Sequence, residues 1–368
     1  MILQQFPIIF ESFYQEIRLI IYFLFSILIV FSLSTLQKVL QHKLFFLFSM
    51  VLIYSALLSF ISQNNIILNL GIPVFVVLIS LGIKFDEEEL KKILLLYVVG
   101  VTLMGLAVVF YYADGFSITV TYAIPAKNQR GPMIGYAILI SFMSVFKDRF
   151  HTVRFLNRNV SFILFSLNFL VLLTFRNRAS ILGIALCAFF ILFSSVEYKQ
   201  TINKWFLIFF MTSMFIILSL AGFFDGLYSF MWDSITLNYD ITDLESLSAG
   251  RTDTYIDALR YSLKNPVAGE ILAGPSVLGT PHNYILYNWV RYGIVMSLPM
   301  ILYYLYLWFF SLKGIMMNQN NSLPVWLLLF SLIVSMFEYT YPYGPGVSQF
   351  FMWFLLGQYL LRHGHQEY

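Results

Sequence analysis

Apolar residues in this chain come in long unbroken runs rather than the short alternations of a soluble fold. A helix that crosses a bilayer needs ~20 mostly apolar residues. Eleven runs approach that length: residues 18–36, 44–61, 66–83, 93–112, 132–146, 159–175, 179–196, 205–224, 287–311, 324–340 and 347–361. The fifth is short and must borrow from its flanks. Polar positions collect between the runs, mostly in brief connections. The exception is a long hydrophilic insert at 225–286. The pattern predicts an all-α integral membrane protein of about 11 transmembrane helices (10–12), a single polytopic domain over residues 1–368 with one long external loop.

Residues 1–16 read as an interfacial helix or part of an extra span. Glu11, Glu16 and Arg18 ahead of the first run make it a poor signal peptide. The run Asp86, Glu87, Glu88, Glu89, Lys91, Lys92 predicts a solvated helix start, with acids in the first turn and lysines after them.

Composition agrees with the pattern. The chain is 59% hydrophobic and 11% charged, with a mean hydropathy of +0.78. A soluble domain carries about 25% charged residues. The net charge of +3 is too small to suggest a nucleic-acid partner. The one cysteine, Cys187, lies in an apolar run and reads as a small core residue.

Lysine and arginine in short loops set the orientation. Lys38 and Lys43, then Lys84, Lys91 and Lys92, then Lys147, Arg149, Arg154 and Arg158, then Lys199 and Lys204, then Lys313, with Arg362 in the tail, alternate as cytoplasmic loops should. The remaining cations fall on the other side: Lys127 and Arg130 in the segment Lys127–Asn128–Gln129–Arg130; Arg176 and Arg178; Arg251, Arg260 and Lys264; and Arg291 near the mouth of a span. A single loop arginine is ordinarily just solvated. Three cationic clusters kept on one face against the positive-inside bias are harder to set aside. The guanidinium is a planar fork suited to phosphate oxygens, so a converging set would hold a diphosphate at the membrane surface.

Of the five histidines only His282 falls on that side. It is a candidate general base, with Glu338 or Glu270 as the alternatives. Its plainer reading is a helix-capping position, since Thr280 and Pro281 read as the start of a helix. Within the long loop, Arg251, Tyr255, Ala258, Leu259 and Ser262 have helical spacing, and Asn265–Pro266 ends the helix. Arg251 then sits in a first turn, where free backbone N–H groups also favour an anion. Asp240, Asp243 and Glu245 are close in sequence, but no calcium-loop or zinc spacing appears, and no metal site is expected. Glu338 lies near the end of a span, where an acid is costly unless paired or functional. Tyr284, Tyr287, Trp289, Tyr341 and Tyr343 could stack on sugar rings, or form an interfacial aromatic belt.

Taken in order, these residues resemble the O-antigen polymerase and O-antigen ligase superfamily. The features are a span opening with Arg178, Ala179 and Ser180, a long loop with Gly250–Arg251, and His282–Asn283 before a further span. The segment Lys127–Asn128–Gln129–Arg130–Gly131–Pro132 is similar to a loop of the polymerase branch. The resemblance covers about 92–361. In the ligase branch the His-Asn start is followed by a glycine and then by a small residue or tyrosine; here Gly293 is present and Met296 holds the last position.

The resemblance implies a multi-span, GT-C-like membrane glycosyltransferase that needs no cofactor and no metal. It would sit in the bacterial cytoplasmic (inner) membrane, with its active site facing the periplasm or cell exterior. Donor and acceptor would be undecaprenyl-diphosphate-linked oligosaccharides among the membrane lipids, and a chain-length regulator is an implied partner. The roles implied are Arg178 and Arg251 on the leaving diphosphate; Arg176, Lys127, Asn128, Gln129, Arg130 and Arg260 as further binders; His282 or Glu338 as base; and Tyr255 and Asn283 on sugar hydroxyls. Two rivals stay open. A ligase would transfer polymer to another acceptor. A transporter or flippase should show paired repeats, broken helices and ionisable groups near mid-membrane.

Overall fold

The computed structural model describes residues 2–17, 85–112, 124–145, 157–193, 251–276, 279–316, 323–343 and 349–363, with scattered single positions between 19 and 83. Every regular element among them is helical. The spans expected at 18–36, 44–61, 66–83 and 205–224, and the front of the long loop up to Gly250, lie largely or wholly outside the described residues. Among the described residues three helices are long and apolar enough to cross a membrane: Glu87–Tyr112, Arg158–Phe175 and Tyr284–Ile315. Shorter apolar helices accompany them.

The N-terminal segment forms a short helix α1 (Pro7–Ser12). Helix α2 (Glu87–Tyr112) starts where the acidic run predicts. Asp86 and Glu89 cap it reciprocally: the Glu89 N–H donates to Asp86 Oδ1 at 2.7 Å and the Asp86 N–H to Glu89 Oε2 at 2.9 Å. Helices α3 (Lys127–Val145), α4 (Arg158–Phe175) and α5 (Arg178–Phe193) follow. The long loop contributes α6 (Arg251–Lys264) and the single turn α7 (Glu270–Ala273). Helices α8 (Tyr284–Met316), α9 (Leu323–Ser335) and α10 (Phe350–His363) complete the described chain.

Helices α3 and α9 are the centre. Both are buried along nearly their whole length, because α2, α4 and α5 pack around α3 while α5, α8 and α10 pack around α9. Small residues permit the close approach. A Cβ on Gly135 of α3 would meet Phe330 of α9 at 2.3 Å, and one on Gly183 of α5 would meet the same ring at 2.9 Å. Polar groups inside are paired across helices, as Asn168 to Thr102 at 2.7 Å and Tyr304 to Ser335 at 2.7 Å.

The outer surface is apolar. Leu96, Leu103 and Phe110 stand exposed on one face of α2, and Val295, Leu298, Leu302, Leu305 and Phe309 form an exposed stripe on α8. Large side chains left uncovered at helical spacing fit a hydrocarbon solvent, not water.

Two spans differ from expectation. The run 287–311 is not one continuous helix: α8 is broken at Gly293 (φ 74°, ψ 163°). Past the break, the N–H groups of Val295 and Met296 lose their helical acceptors and donate to the carbonyls of Pro266 and Val267 at 2.9 and 3.1 Å. Only glycine fits, since a Cβ at Gly293 would lie 2.6 Å from the Ala268 nitrogen. The run 324–340 is helical only to Ser335, and residues 336–343 form turns that carry the site.

Candidate functional site

Lys127, Arg178 and Arg251 are the first residues of α3, α5 and α6. Cations are unfavourable at helix N-termini, where the backbone is already positive; three cost roughly 1–3 kcal/mol together. These starts are nonetheless gathered at one end of the bundle. The charges of Arg178, Arg251 and Arg176 all bear on the Lys127 ammonium, as does the carboxylate of Glu338. Burial first, then the neighbouring cations, lower Lys127 below the usual lysine range, against the pull of Glu338.

The turn between α4 and α5 shows how the sequence achieves this. Arg176 ends α4 in the left-handed region (φ 52°, ψ 38°), with its N–H donating to the Leu173 carbonyl. Glycine or asparagine is usual there, and a bulky residue is strained by roughly 1–2 kcal/mol. Asn177 caps α5: its Oδ1 accepts from the Ser180 N–H at 2.9 Å. Its Nδ2 donates to the Lys127 carbonyl at 3.1 Å and approaches Asn128 Oδ1 at 3.4 Å. Gly131 makes room, because a Cβ there would lie 2.7 Å from the Asn177 side chain. Asn177 thus ties the Lys127 start to the Arg176–Arg178 turn. The sequence reading passed over it; an asparagine between two outer arginines, directly before a helical run, was the available signal.

Glu338 is the hub. It sits in the turn after α9 and is almost fully buried. Its Oε1 lies 3.8 Å from Arg251 Nη2, and its Oε2 lies 3.4 Å from His282 Nδ1. Both partners are partly exposed, Arg251 at 32% and His282 at 38% of their side-chain surface. The cation and the imidazole can therefore meet a ligand while the carboxylate behind them does not. Arg251 also donates to the Phe337 carbonyl at 3.4 Å. The Tyr255 hydroxyl, one turn on from Arg251, donates to the His282 carbonyl at 2.9 Å. Burial pushes the Tyr255 phenol up, so it stays a hydrogen-bond donor.

Asn283, not Thr280 or Pro281, caps α8. Its Oδ1 accepts from the Ile285 and Leu286 N–H groups at 3.0 and 3.1 Å, while its Nδ2 donates to the Met336 carbonyl at 3.1 Å. With both ends so engaged, Asn283 holds the turn between His282 and α8 against the Met336 carbonyl.

Two expected binders stand elsewhere. Arg130 is one turn deeper in α3, fully buried; it donates to the Pro125 carbonyl at 2.8 Å and stacks over Phe10 of α1 at 4.4 Å. Arg260 is nine residues beyond Arg251 in a continuous helix, about 13 Å along its axis. It is exposed and paired with Asp257 at 3.3 Å. Gln129 lies between Asn128 and Arg130 with its Oε1 buried. Glu270, the other acid considered as base, accepts from Arg291 at 2.9 Å and from Ser276 at 2.5 Å, and so secures the loop.

Beside His282 the Tyr339 ring lies at 6.2 Å between centroids, and Tyr287 stacks on Tyr339 at 4.4 Å. Tyr284, Tyr341 and Tyr343 are buried inside. Among the described residues no group of three or more His, Cys, Asp or Glu side chains could hold a metal ion. Asp240, Asp243 and Glu245 lie outside the described residues. A cluster of cations tied through Arg251 to a buried carboxylate, with a histidine on that carboxylate's other oxygen, suits a polyanion that departs while a proton is being taken up. No protein-family model matches the chain, and comparison with curated proteins gives no match either.

Proposed function

We propose that this chain is a membrane glycosyltransferase, a polysaccharide polymerase acting on lipid-linked repeat units in the bacterial cytoplasmic membrane, with its site facing the periplasm or cell exterior. The observation that carries this reading is the gathering of Arg176, Arg178, Arg251 and Glu338 about Lys127, with Glu338 bridging Arg251 and His282. The cations come from three sequence-distant segments and include a strained arginine and three helix starts. Costs of that kind are retained where an anion recovers them.

In the reaction, the acceptor hydroxyl oxygen attacks the anomeric carbon of the donor glycan. The bond from that carbon to the phosphate oxygen breaks, and the electron pair leaves with undecaprenyl diphosphate. Lys127, Arg176, Arg178 and Arg251 stabilise the charge that develops there. His282 takes the acceptor proton on Nε2 and then releases it to solvent. Glu338, against Nδ1, favours the tautomer that leaves Nε2 as acceptor and stabilises the imidazolium once formed. Tyr255 holds the His282 backbone in place.

The break in α8 is a feature transporters share. Here its freed N–H groups are filled by loop carbonyls, and the ionisable groups gather at helix ends instead. The test is glycan length in a deletion strain complemented at matched membrane levels. Wild type should restore long chains, and Arg251→Ala or His282→Ala should leave single lipid-linked repeats. Full-length polymer stranded on the carrier in the deletion strain would make the chain a ligase. Normal polymer from both variants would end the proposed mechanism.

A further inference from the structure

We infer that Tyr339 and Tyr287 form the subsite for the acceptor's sugar ring; this rests on the glycosyltransferase reading above. The two rings stack at 4.4 Å with 25° between their planes, and Tyr339 lies against the His282 ring at 59°. Both are partly exposed, unlike the neighbouring Tyr284, Tyr341 and Tyr343, which are core. The pair is held stiffly. Tyr287 stands on the first half of α8, which is clamped at the Gly293 break by the Pro266 and Val267 carbonyls and braced by the Arg291–Glu270 pair at 2.9 Å. Tyr339 directly follows Glu338 in the turn.

The order of contacts divides the site in two. On one oxygen of Glu338 is Arg251, and the charges of both bear on Lys127 together with those of Arg178 and Arg176. On the other oxygen is His282, with Tyr339 and Tyr287 beyond that. The donor's diphosphate belongs on the cationic side. The acceptor hydroxyl must come within about 3 Å of His282 to lose its proton, so the ring that bears it lies over the surface next to that histidine. A pyranose presents C–H groups on its face, and the electron-rich face of a phenol ring attracts them.

The test uses full-length protein and three variants, Tyr339→Leu, Tyr339→Phe and Tyr287→Leu. Two readings are taken: thermal stabilisation of the purified protein by inorganic diphosphate, and glycan length in the deletion strain. Tyr339→Leu and Tyr287→Leu should bind diphosphate as wild type does but give short chains, reflecting roughly three- to tenfold weaker acceptor binding. Raising the supply of lipid-linked repeats should lengthen those chains, while His282→Ala does not respond. Tyr339→Phe keeps the ring face and should give longer chains than Tyr339→Leu. Wild-type chain length from Tyr339→Leu would overturn the inference. Loss of diphosphate binding in that variant would overturn it as well, since the ring would then be holding the site together. If wild type itself neither restores polymer nor binds diphosphate, the glycosyltransferase reading fails and the subsite falls with it.

Discussion

Replacing Glu338 by glutamine separates anion binding from proton transfer. The carboxylate lies 3.8 Å from Arg251, so at an effective dielectric of 20 the gross attraction is about 4 kcal/mol. Arg251 is 32% exposed, and water and salt reduce the net value to roughly 1–2 kcal/mol. That charge opposes any diphosphate approaching the same guanidinium. Glutamine keeps the volume and the turn, and Arg251 stays aimed through the Phe337 carbonyl. Removing the charge should therefore tighten inorganic diphosphate binding by about tenfold. It should also leave His282 without the anion that stabilises its imidazolium, so polymer synthesis should collapse although the donor headgroup binds better. Titration calorimetry on the purified protein and glycan length in the deletion strain read the two effects separately. Diphosphate bound no more tightly by Glu338→Gln, or long chains made by it, would refute the assignment of Glu338 as competitor for Arg251 and partner of His282.

Three further outcomes follow from the geometry. Gly131→Ala should displace Asn177, whose side chain would lie 2.7 Å from the new Cβ, and weaken diphosphate binding measured by calorimetry by separating Lys127 from the Arg176–Arg178 turn. Arg176→Gly should relieve the left-handed backbone and stabilise the fold by about 1 kcal/mol in thermal unfolding, yet bind diphosphate less well. Lys127 holds its proton less tightly in the fold than in the unfolded chain, so between its lowered value and the ordinary lysine range the empty protein should gain stability as pH rises while diphosphate binding falls. Calorimetry across alkaline pH checks this, and Lys127→Arg should remove the decline.

The long apolar runs made the helices legible, and most described ones begin or end within a few residues of the expected bounds. The acidic start of α2 and the stop of α6 at Asn265–Pro266 were readable because capping and proline chemistry act within a few residues. The break at Gly293 was not. Its cause is the backbone of residues 266–269, a contact that hydropathy does not encode. For the same reason Arg130 and Lys127, one turn apart in α3, could not be sorted by sequence: α1 and Tyr112 of α2 enclose the first, while the turn before α5 meets the second.

What the sequence did carry was a set of local contradictions. Lys127, Arg178 and Arg251 begin helices where acids belong, and Arg176 occupies a backbone position suited to glycine. Each is a small disagreement between a residue and its place, and each could be offset separately by solvent. Their convergence weakens that option at Lys127, where burial and the charges of Arg178, Arg251 and Arg176 act together. Glu338 acts on both Arg251 and Lys127. The bundle end that carries these cations rests on the packing beneath it, the Phe330 junction of α3, α5 and α9. That is why the anion site is expected to survive single cation deletions as a fold while losing them one by one as a function.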